Sequence, residues 1–482
     1  MPQQNPKRSN PGPNPGLNQG LNQGLNRGSP RDTSRRDFLK RTAAAGALTP
    51  LASLALGACA TGMRYTTTPT LRHACVGVGG MGDADMTRIG SHPDVIISAL
   101  CDVDRAILAK AAAKFPDARL YTDWRDMLET EAGRIDSVNV TTPDHMHAPV
   151  AMTALQRDLH VYCQKPLSHT VVEARRLAEA AAAAGVVTQM GIQNHSNLPF
   201  RKAHEIFQTG VTGPITEVHV WTDRPAGWWA QGVGRPEGVD PIPESLDWNG
   251  WLGVAPTRPY KLGAYHTFAW RGRIDFGTGA QGDMGCHLMD PVPWFLEVDA
   301  PTSVRSMGPP PTTDSFPEWS EVHYTFPAGN DSCDPDGVHV VWHDGARKPD
   351  ELFAAWGIGD DVYANAALFV GPDAALLASP YEDCRVFGKD GEHDLILPEL
   401  PEINHWHQYV EACFGREAAR TPFRYAGPLT ETALLGNIAL AHPEVELPWD
   451  SRALRFPGHA SADALLHKPY RRGWEVQGLD QA

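Results

Sequence analysis

The sequence is short of positive charge. Its 42 lysines and arginines face 57 aspartates and glutamates, for a formal net charge of −15. Eight of the basic side chains (Lys7, Arg8, Arg27, Arg31, Arg35, Arg36, Lys40 and Arg41) fall within the first 58 residues, against two acidic ones there, so the remainder is more acidic still. No basic patch interleaved with aromatics occurs, which speaks against a nucleic-acid partner. Long apolar runs are also missing: beyond the N-terminus no stretch approaches the roughly 18 residues of a membrane-spanning helix. The eight cysteines follow no compact framework spacing. Cys75, Cys101 and Cys163 read as small core residues, and Cys333 and Cys384 are the two that an oxidising compartment would allow to pair. Metal-ligand spacings are missing too. "DHMH" (144–147) and "HWH" (405–407) lack a further ligand at a useful spacing, and "DSCDPDG" (331–337) lacks the ordered pattern of a calcium loop, so no metal is expected.

What is present divides the chain. With 482 residues, 42% of them hydrophobic, it can build two or three domains with real cores. Residues 1–58 read as an address: a Gly/Asn/Pro-rich stretch with "GLNQ" repeated carries no folding signal. "SRRDFLKR" (34–41) then resembles a twin-arginine export signal and "LGAC" (56–59) a lipobox. This implies a periplasmic protein tethered to the membrane only through lipid on Cys59. Residues 59–70 read as a linker.

From residue 71 to 192, short β-rich runs alternate with alanine-rich helical stretches. "HACVGVGG", "VIISALCDVD", "SVNVTTP", "HVYCQKP" and "VVTQMGIQ" are the strands, and the rhythm implies right-handed crossovers and a parallel sheet. After residue 193 the rhythm changes. "ITEVHVWT", "SVRSMG", "SEVHYTFP" and "GVHVVWH" alternate with long Gly/Pro/Trp-rich loops, and helical stretches follow at 403–414 and 428–441. Residues 193–482 are therefore expected to form a second α/β domain with a largely antiparallel sheet.

The first strand runs into Gly77-x-Gly79-x-x-Gly82, with Met81 in the turn. Glycines at this spacing permit a tight turn, close approach to a pyrophosphate and tight helix–sheet packing, with the helix N-terminus facing the phosphates. The second strand ends in Asp102, 20 residues beyond Gly82, where an acid binds the adenosine ribose hydroxyls. A carboxylate there repels a 2′-phosphate, which favours NAD; nearby Arg105 keeps NADP open.

The glycine turn, "TTPDHMH", "QKP" and "GDMGCH", taken in this order, resemble the glucose–fructose oxidoreductase, inositol dehydrogenase and rhizopine-catabolism (Gfo/Idh/MocA) family over roughly residues 72–450. The resemblance implies a Rossmann domain followed by an open-sheet α/β domain, with a sugar cleft between them and a homo-oligomer formed through the open sheet. It places Lys165 of Gln164-Lys165-Pro166 at nicotinamide and substrate, and matches Asp283 and His287 to the family's Asp-x-x-x-His. It also places Thr142-Pro143 through His147 against the cofactor. The i, i+4 spacing puts Asp283 and His287 on one helical face, so the carboxylate is expected to orient the imidazole.

Oxidation of a secondary alcohol needs these residue types: a base for the hydroxyl proton, for which His287 is expected near its ordinary pKa, and a cation such as Lys165 to stabilise charge on oxygen. Loop aromatics beside arginine suit a sugar, which nominates Trp229 and Arg271. Asn194 and His195, where "MGIQNHS" departs from the family, are further substrate candidates, and Tyr265, His266 or His195 could supply a second base. Gln164 departs from the family's glutamate, which accepts hydrogen bonds from nicotinamide-ribose hydroxyls. The expected activity is oxidation of a sugar or glycoside hydroxyl by a tightly held nicotinamide. The alternatives are a redox-neutral NAD-dependent glycoside hydrolase and a non-catalytic sugar-binding lipoprotein; loss of Lys165 or His287 would have signalled the last.

Overall fold

Short runs buried on both faces are what a covered parallel sheet requires, and the N-terminal half of the body is built from them. The computed structural model describes residues 62–359 and 361–479. The segment at 34–41 that reads as an export signal, and Cys59, lie outside the described residues. Six strands, β1 (Leu71–Val76), β2 (Val95–Cys101), β3 (Arg119–Tyr121), β4 (Ser137–Val140), β5 (His160–Gln164) and β6 (Thr188–Gly191), form one sheet in the order β3-β2-β1-β4-β5-β6. All its pairings are parallel. Five helices connect them: α1 (Met81–Gly90), α2 (Arg105–Lys114), α3 (Trp124–Thr130), α4 (His147–Leu155) and α5 (Val171–Ala184). The strand order reverses between β1 and β4, and a doubly wound sheet opens its ligand crevice at such a point. α5 starts on a reciprocal Thr170–Glu173 capping box and stops at Gly185 in the left-handed conformation.

A short helix, α6 (Leu198–Phe207), leads into the second sheet. Its strands are β7 (Glu217–Trp221), β8 (Ser303–Met307), β9 (Glu321–Phe326), β10 (Val338–His343), β11 (Ala366–Val370), β12 (Ala374–Ala378), β13 (Arg385–Gly388), β14 (Gly391–Glu392) and β15 (Leu447–Pro448). They lie in the order β14-β13-β12-β11-β7-β10-β9-β8-β15. Only β7 and β10 pair in parallel; the other pairings are antiparallel. Between β7 and β8 lie α7 (Trp248–Leu252), α8 (Gly279–Leu288) and α9 (Pro291–Leu296); later come α10 (Asp350–Ala355), α11 (His405–Cys413) and α12 (Phe423–Leu440). The expected fold class is what the structure shows: a Rossmann sheet followed by an α/β domain with a largely antiparallel sheet.

Three details differ from the sequence reading. α12 begins at Phe423 and carries Pro428 within it, upstream of the expected start at 428. The described part of the segment expected as a linker, 62–70, lies against the body: Arg64 N donates to Gly185 O and Thr66 N to Cys413 O. And the end of the chain returns to the Rossmann sheet. Trp406 on α11 reaches Asp85 on α1, Tyr470 bonds Glu173 on α5, and the Arg125 guanidinium stacks on Trp474. Residues beyond 403 thus help to cover the first domain, although they belong to the second in sequence. Cys333 and Cys384 are separate buried thiols and do not pair. Among the described residues no helix is long and apolar enough to cross a membrane.

Candidate active site

The crevice at the C-terminal ends of β1, β4 and β5 opens into a cleft of about 820 Å³ that runs to the inner face of α8. At one end sits the glycine turn. Gly77 has φ +77°, and a Cβ there would lie 2.4 Å from Thr141 O; a Cβ on Gly82 would lie 2.1 Å from Gly77 O. The backbone crossing closes only with glycine at both positions. No side chain caps α1, so its first turn faces the cleft bare, with Gly79 and Met81 beside it. Asp102 accepts from Val78 N (3.0 Å) and Asp104 N (2.9 Å), and burial pushes its carboxyl up to about 6. Arg105 points away: its guanidinium donates to the Glu244 carbonyl. The cation that kept NADP open in the sequence is thereby engaged elsewhere.

The second domain reaches over this end. Arg105 N donates to Ser245 O and Asp247 N to Val103 O, both at 2.9 Å, and Asp104 and Leu246 form an antiparallel bridge. Residues 244–247 therefore strap the β2–α2 loop beside Asp102, and Gly250 and Trp251 just beyond them line the cleft.

Midway, Thr142, Pro143 and His147 line the cleft. His147 is fully buried between two carbonyls, Thr142 O at 2.8 Å and Pro166 O at 2.7 Å, so it holds the Thr-Pro loop against the turn after β5. The buried Thr142 hydroxyl has no partner among the described residues. A glycine cradle, a bare helix start, an acid at the ribose position and an unpaired hydroxyl between them fit an extended dinucleotide.

At the far end Lys165 crosses from β5 to α8. Its Nζ donates to Asp283 Oδ1 at 2.7 Å and to the Asp283 carbonyl at 2.8 Å. Arg271 lies on the other side of Asp283, with Nε 3.2 Å from Oδ1, and its Nη1 donates to both oxygens of Asp144 at 2.6 and 2.7 Å. Thr278 Oγ1 donates to the same Asp144. Two cations and two carboxylates thus alternate in a buried row. Burial would raise the Asp283 carboxyl, but Lys165 and Arg271 more than offset it and hold it well below the ordinary range.

His287 lies one turn beyond Asp283 and lines the cleft, yet Asp283 does not orient it as the i, i+4 spacing led us to expect. The carboxylate is committed to Lys165 and Arg271, and His287 Nδ1 has no partner among the described residues. Nor does the imidazole keep its ordinary pKa: burial, then the Lys165 charge, pull it down to about 3, leaving a neutral ring.

The substrate candidates separate. His266 and Arg271 line the cleft, but His266 faces Asp104 at 3.6 Å on the adenosine side and Arg271 is spent on Asp144 and Asp283. Asn194, His195, Trp229 and Tyr265 are not among the cleft-lining residues. His195 stacks on Trp294 and bonds Asp290 at 2.9 Å, and Asn194 Oδ1 accepts from Asn197 Nδ2. Trp229 bonds Gln231, and Tyr265 packs in an aromatic cluster with Trp248, Trp251 and Phe276. In their place the cleft presents Gln193, Arg224, Trp228 and Phe268. Trp228 and Phe268 are about half exposed, and the Arg224 guanidinium lies 3.7 Å over the Trp228 ring. The doublet Trp228-Trp229 was legible in sequence; which ring faces the cleft was not.

Sequence reasoning missed Asp144, Asp85 and the strap, whose partners are all remote in the chain. Among the described residues no group of three or more His, Cys, Asp or Glu side chains is placed to hold a metal.

Residues 71–192 match the model for the oxidoreductase family, NAD-binding Rossmann fold, and residues 196–356 that for the oxidoreductase family, C-terminal alpha/beta domain. Inositol 2-dehydrogenase of Salmonella paratyphi B is 28% identical over 153 residues, which cover 31% of this chain and 45% of that protein. Levoglucosan dehydrogenase of Pseudarthrobacter phenanthrenivorans is 23% identical over 192 residues, 40% of each chain. The chain thus spans less than half the length of the curated relatives it matches. Among solved structures, the aldose-aldose oxidoreductase of Caulobacter crescentus superposes with a TM-score of 0.56 at 16% identity, covering 79% of this chain and 100% of that one. The WlbA dehydrogenase of Bordetella pertussis, crystallised with NADH and UDP-GlcNAcA, gives 0.54 at 17%, covering 79% and 99%. At such identities the superpositions speak to the fold. The two family models together span more than half of the sequence, and the chain belongs to the Gfo/Idh/MocA oxidoreductase family, with an NAD-binding Rossmann domain and a C-terminal α/β domain.

Proposed function

We propose that this protein is an exported NAD-dependent oxidoreductase that acts on a secondary hydroxyl of a sugar or glycoside. The observation that carries the reading is the placement of Lys165 and His287 on the wall of the same cleft that holds the glycine turn and Asp102. Bound NAD would supply the hydride acceptor. Gly77, Gly79 and Gly82 would admit its pyrophosphate, Asp102 its adenosine ribose, and Thr142 and His147 would shape the path between. His287, neutral and on the cleft wall, serves as the base for the hydroxyl proton. Lys165, fixed by Asp283, donates to the same oxygen and stabilises its developing charge. Arg271 and Asp144 hold Asp283 in place. Trp228 and Phe268 offer ring faces to the C–H faces of a sugar. The twin-arginine and lipobox-like segments in the sequence support export and lipid attachment at Cys59.

A second reading, redox-neutral hydrolysis, is favoured by one observation: the 244–247 strap crosses beside the adenosine site. A nucleotide held under a strap must regain its starting redox state before the next turnover. A sugar that is oxidised, loses its glycosidic substituent and is reduced again before release satisfies that condition without a second substrate.

Incubating purified protein with a panel of glycosides in deuterated water tests both. A keto product establishes the oxidoreductase, and net hydrolysis with deuterium beside the oxidised carbon establishes the hydrolase. Absence of any product across glycosides and free sugars would contradict both.

A further inference from the structure

Behind the site lies a buried carboxylate that the chemistry described above does not use. Asp85 sits on the buried face of α1 and is wholly inaccessible to solvent. It accepts four hydrogen bonds from three neutral side chains. Thr141 Oγ1 donates at 2.8 Å, Trp406 Nε1 at 2.8 Å, and Gln164 Nε2 to both oxygens at 3.0 and 3.2 Å. These donors are not scattered. Thr141 follows β4 directly, one residue before the cofactor-lining Thr142, and Gln164 ends β5 one residue before Lys165. Trp406 comes from α11 and brings the second domain to the same point.

Gln164 is clamped from both ends. Its amide nitrogen is held by Asp85, and its Oε1 accepts from Lys165 N at 3.3 Å. The space is full: a Cβ on Gly191 of β6 would fall 2.6 Å from Gln164 Nε2. The amide therefore has one orientation, fixed by a carboxylate that can only accept. A glutamate at 164 would set two carboxylates in contact; an asparagine at 85 would set two amide nitrogens face to face. Only an acid with an amide satisfies the pair, and the acid here is at 85.

We propose that Asp85 is a positioning residue for Lys165: it fixes the Gln164 amide, and through Gln164 Oε1 the backbone from which the lysine reaches Asp283 and the substrate. The proposal rests on the assignment of Lys165 to the reacting oxygen. The carboxylate in this pair stands one layer behind the cleft, on the helix, and the strand end beside the lysine carries the neutral partner.

The test is a reciprocal exchange in the full-length protein. Asp85→Asn and Gln164→Glu alone are each expected to lower kcat on the order of 10- to 100-fold, because a shift of about 1 Å at a reacting group costs that much, with bound nucleotide retained. The double variant Asp85→Asn/Gln164→Glu restores one acid and one amide in contact and is expected to recover most of the loss. Labelling of Lys165 by a small amine reagent, read by peptide mass, should change in both single variants and return in the double. That readout needs no substrate, so it stands even if the sugar chemistry proposed above fails. Losses that simply multiply in the double variant, or single variants with unchanged kcat and labelling, would overturn the proposal. If a single variant fails to fold, recovery of folded protein in the double variant is the predicted rescue, and a double variant that also fails to fold overturns it.

Discussion

Lys165 and Asp283 meet across the two domains: the lysine leaves the end of β5, and its Nζ lies 2.7 Å from the carboxylate and 2.8 Å from the carbonyl of a residue on α8. The pair joins the cofactor-binding sheet to the helix that carries His287. Arg271, on the far side of the same carboxylate, keeps Asp283 compensated when the lysine is removed.

Lys165→Ala should therefore fold and retain nucleotide while losing turnover on the order of 10²- to 10³-fold, the size expected when a donor to a developing oxyanion is removed. Turnover against nucleotide content, measured on one preparation, checks this. Loss of both together would make the lysine structural.

His287 makes a prediction in pH. Its folded pKa of about 3 lies below the ordinary 6.5. The folded imidazole stays neutral while the unfolded one takes up a proton. Its contribution to stability is therefore fully present above pH 6.5 and is lost as the pH falls toward about 3. His287→Gln should flatten the decline of Tm over that interval and lower kcat at neutral pH by roughly 10²- to 10⁴-fold. Parallel Tm–pH curves for the variant and the parent would refute the buried neutral ring.

Asp102 and the strap make two separable predictions about the nucleotide. Burial raises the Asp102 carboxyl to about 6, so NAD affinity should weaken as the pH falls through that value and a ribose-hydroxyl acceptor is lost; Asp102→Asn should bind weakly without that dependence. Arg105→Ala removes the contact to Glu244 and should hasten NAD release about tenfold, the effect of roughly 1.4 kcal/mol, with kcat unaltered. Exchange against labelled nucleotide measures both, and equal release rates would argue against the strap.

Trp228, rather than Trp229, should govern affinity for substrate. Trp228→Ala is expected to raise KM for a glycoside about tenfold, since an aromatic contact is worth about 1 kcal/mol or more beyond its area. Trp229→Phe should leave KM alone and lower Tm, because its indole nitrogen bonds Gln231 within the protein. The reverse pattern would place the sugar elsewhere.

Much of the fold was legible because its signals are local. Gly77, Gly79 and Gly82 announce a turn within six residues, and strand–helix alternation announces a parallel sheet. What escaped the sequence depends on remote partners. Asp283 and His287 are correctly spaced for one helical face, but spacing does not reveal that Lys165, 118 residues away, and Arg271, on a separate turn upstream, claim the carboxylate first. Asp85 left a faint trace: with Gly82, Met86 and Ile89 it falls on the buried stripe of α1, and an acid in such a stripe demands donors. Its donors at 141, 164 and 406 could not be named without the fold. Residues 244–247 fall within the long loops between strands, and only the structure shows them bonded to the β2–α2 turn.

The most direct test of the account is a single turnover. Protein loaded with one equivalent of NAD is mixed with a glycoside in the absence of free nucleotide, and the absorbance of reduced nicotinamide is followed alongside Lys165→Ala. The account predicts reduction of the bound nucleotide in the parent protein and its near absence in the variant, with equal nucleotide content in both. Equal reduction in the two proteins, or no reduction by any sugar or glycoside, would contradict it.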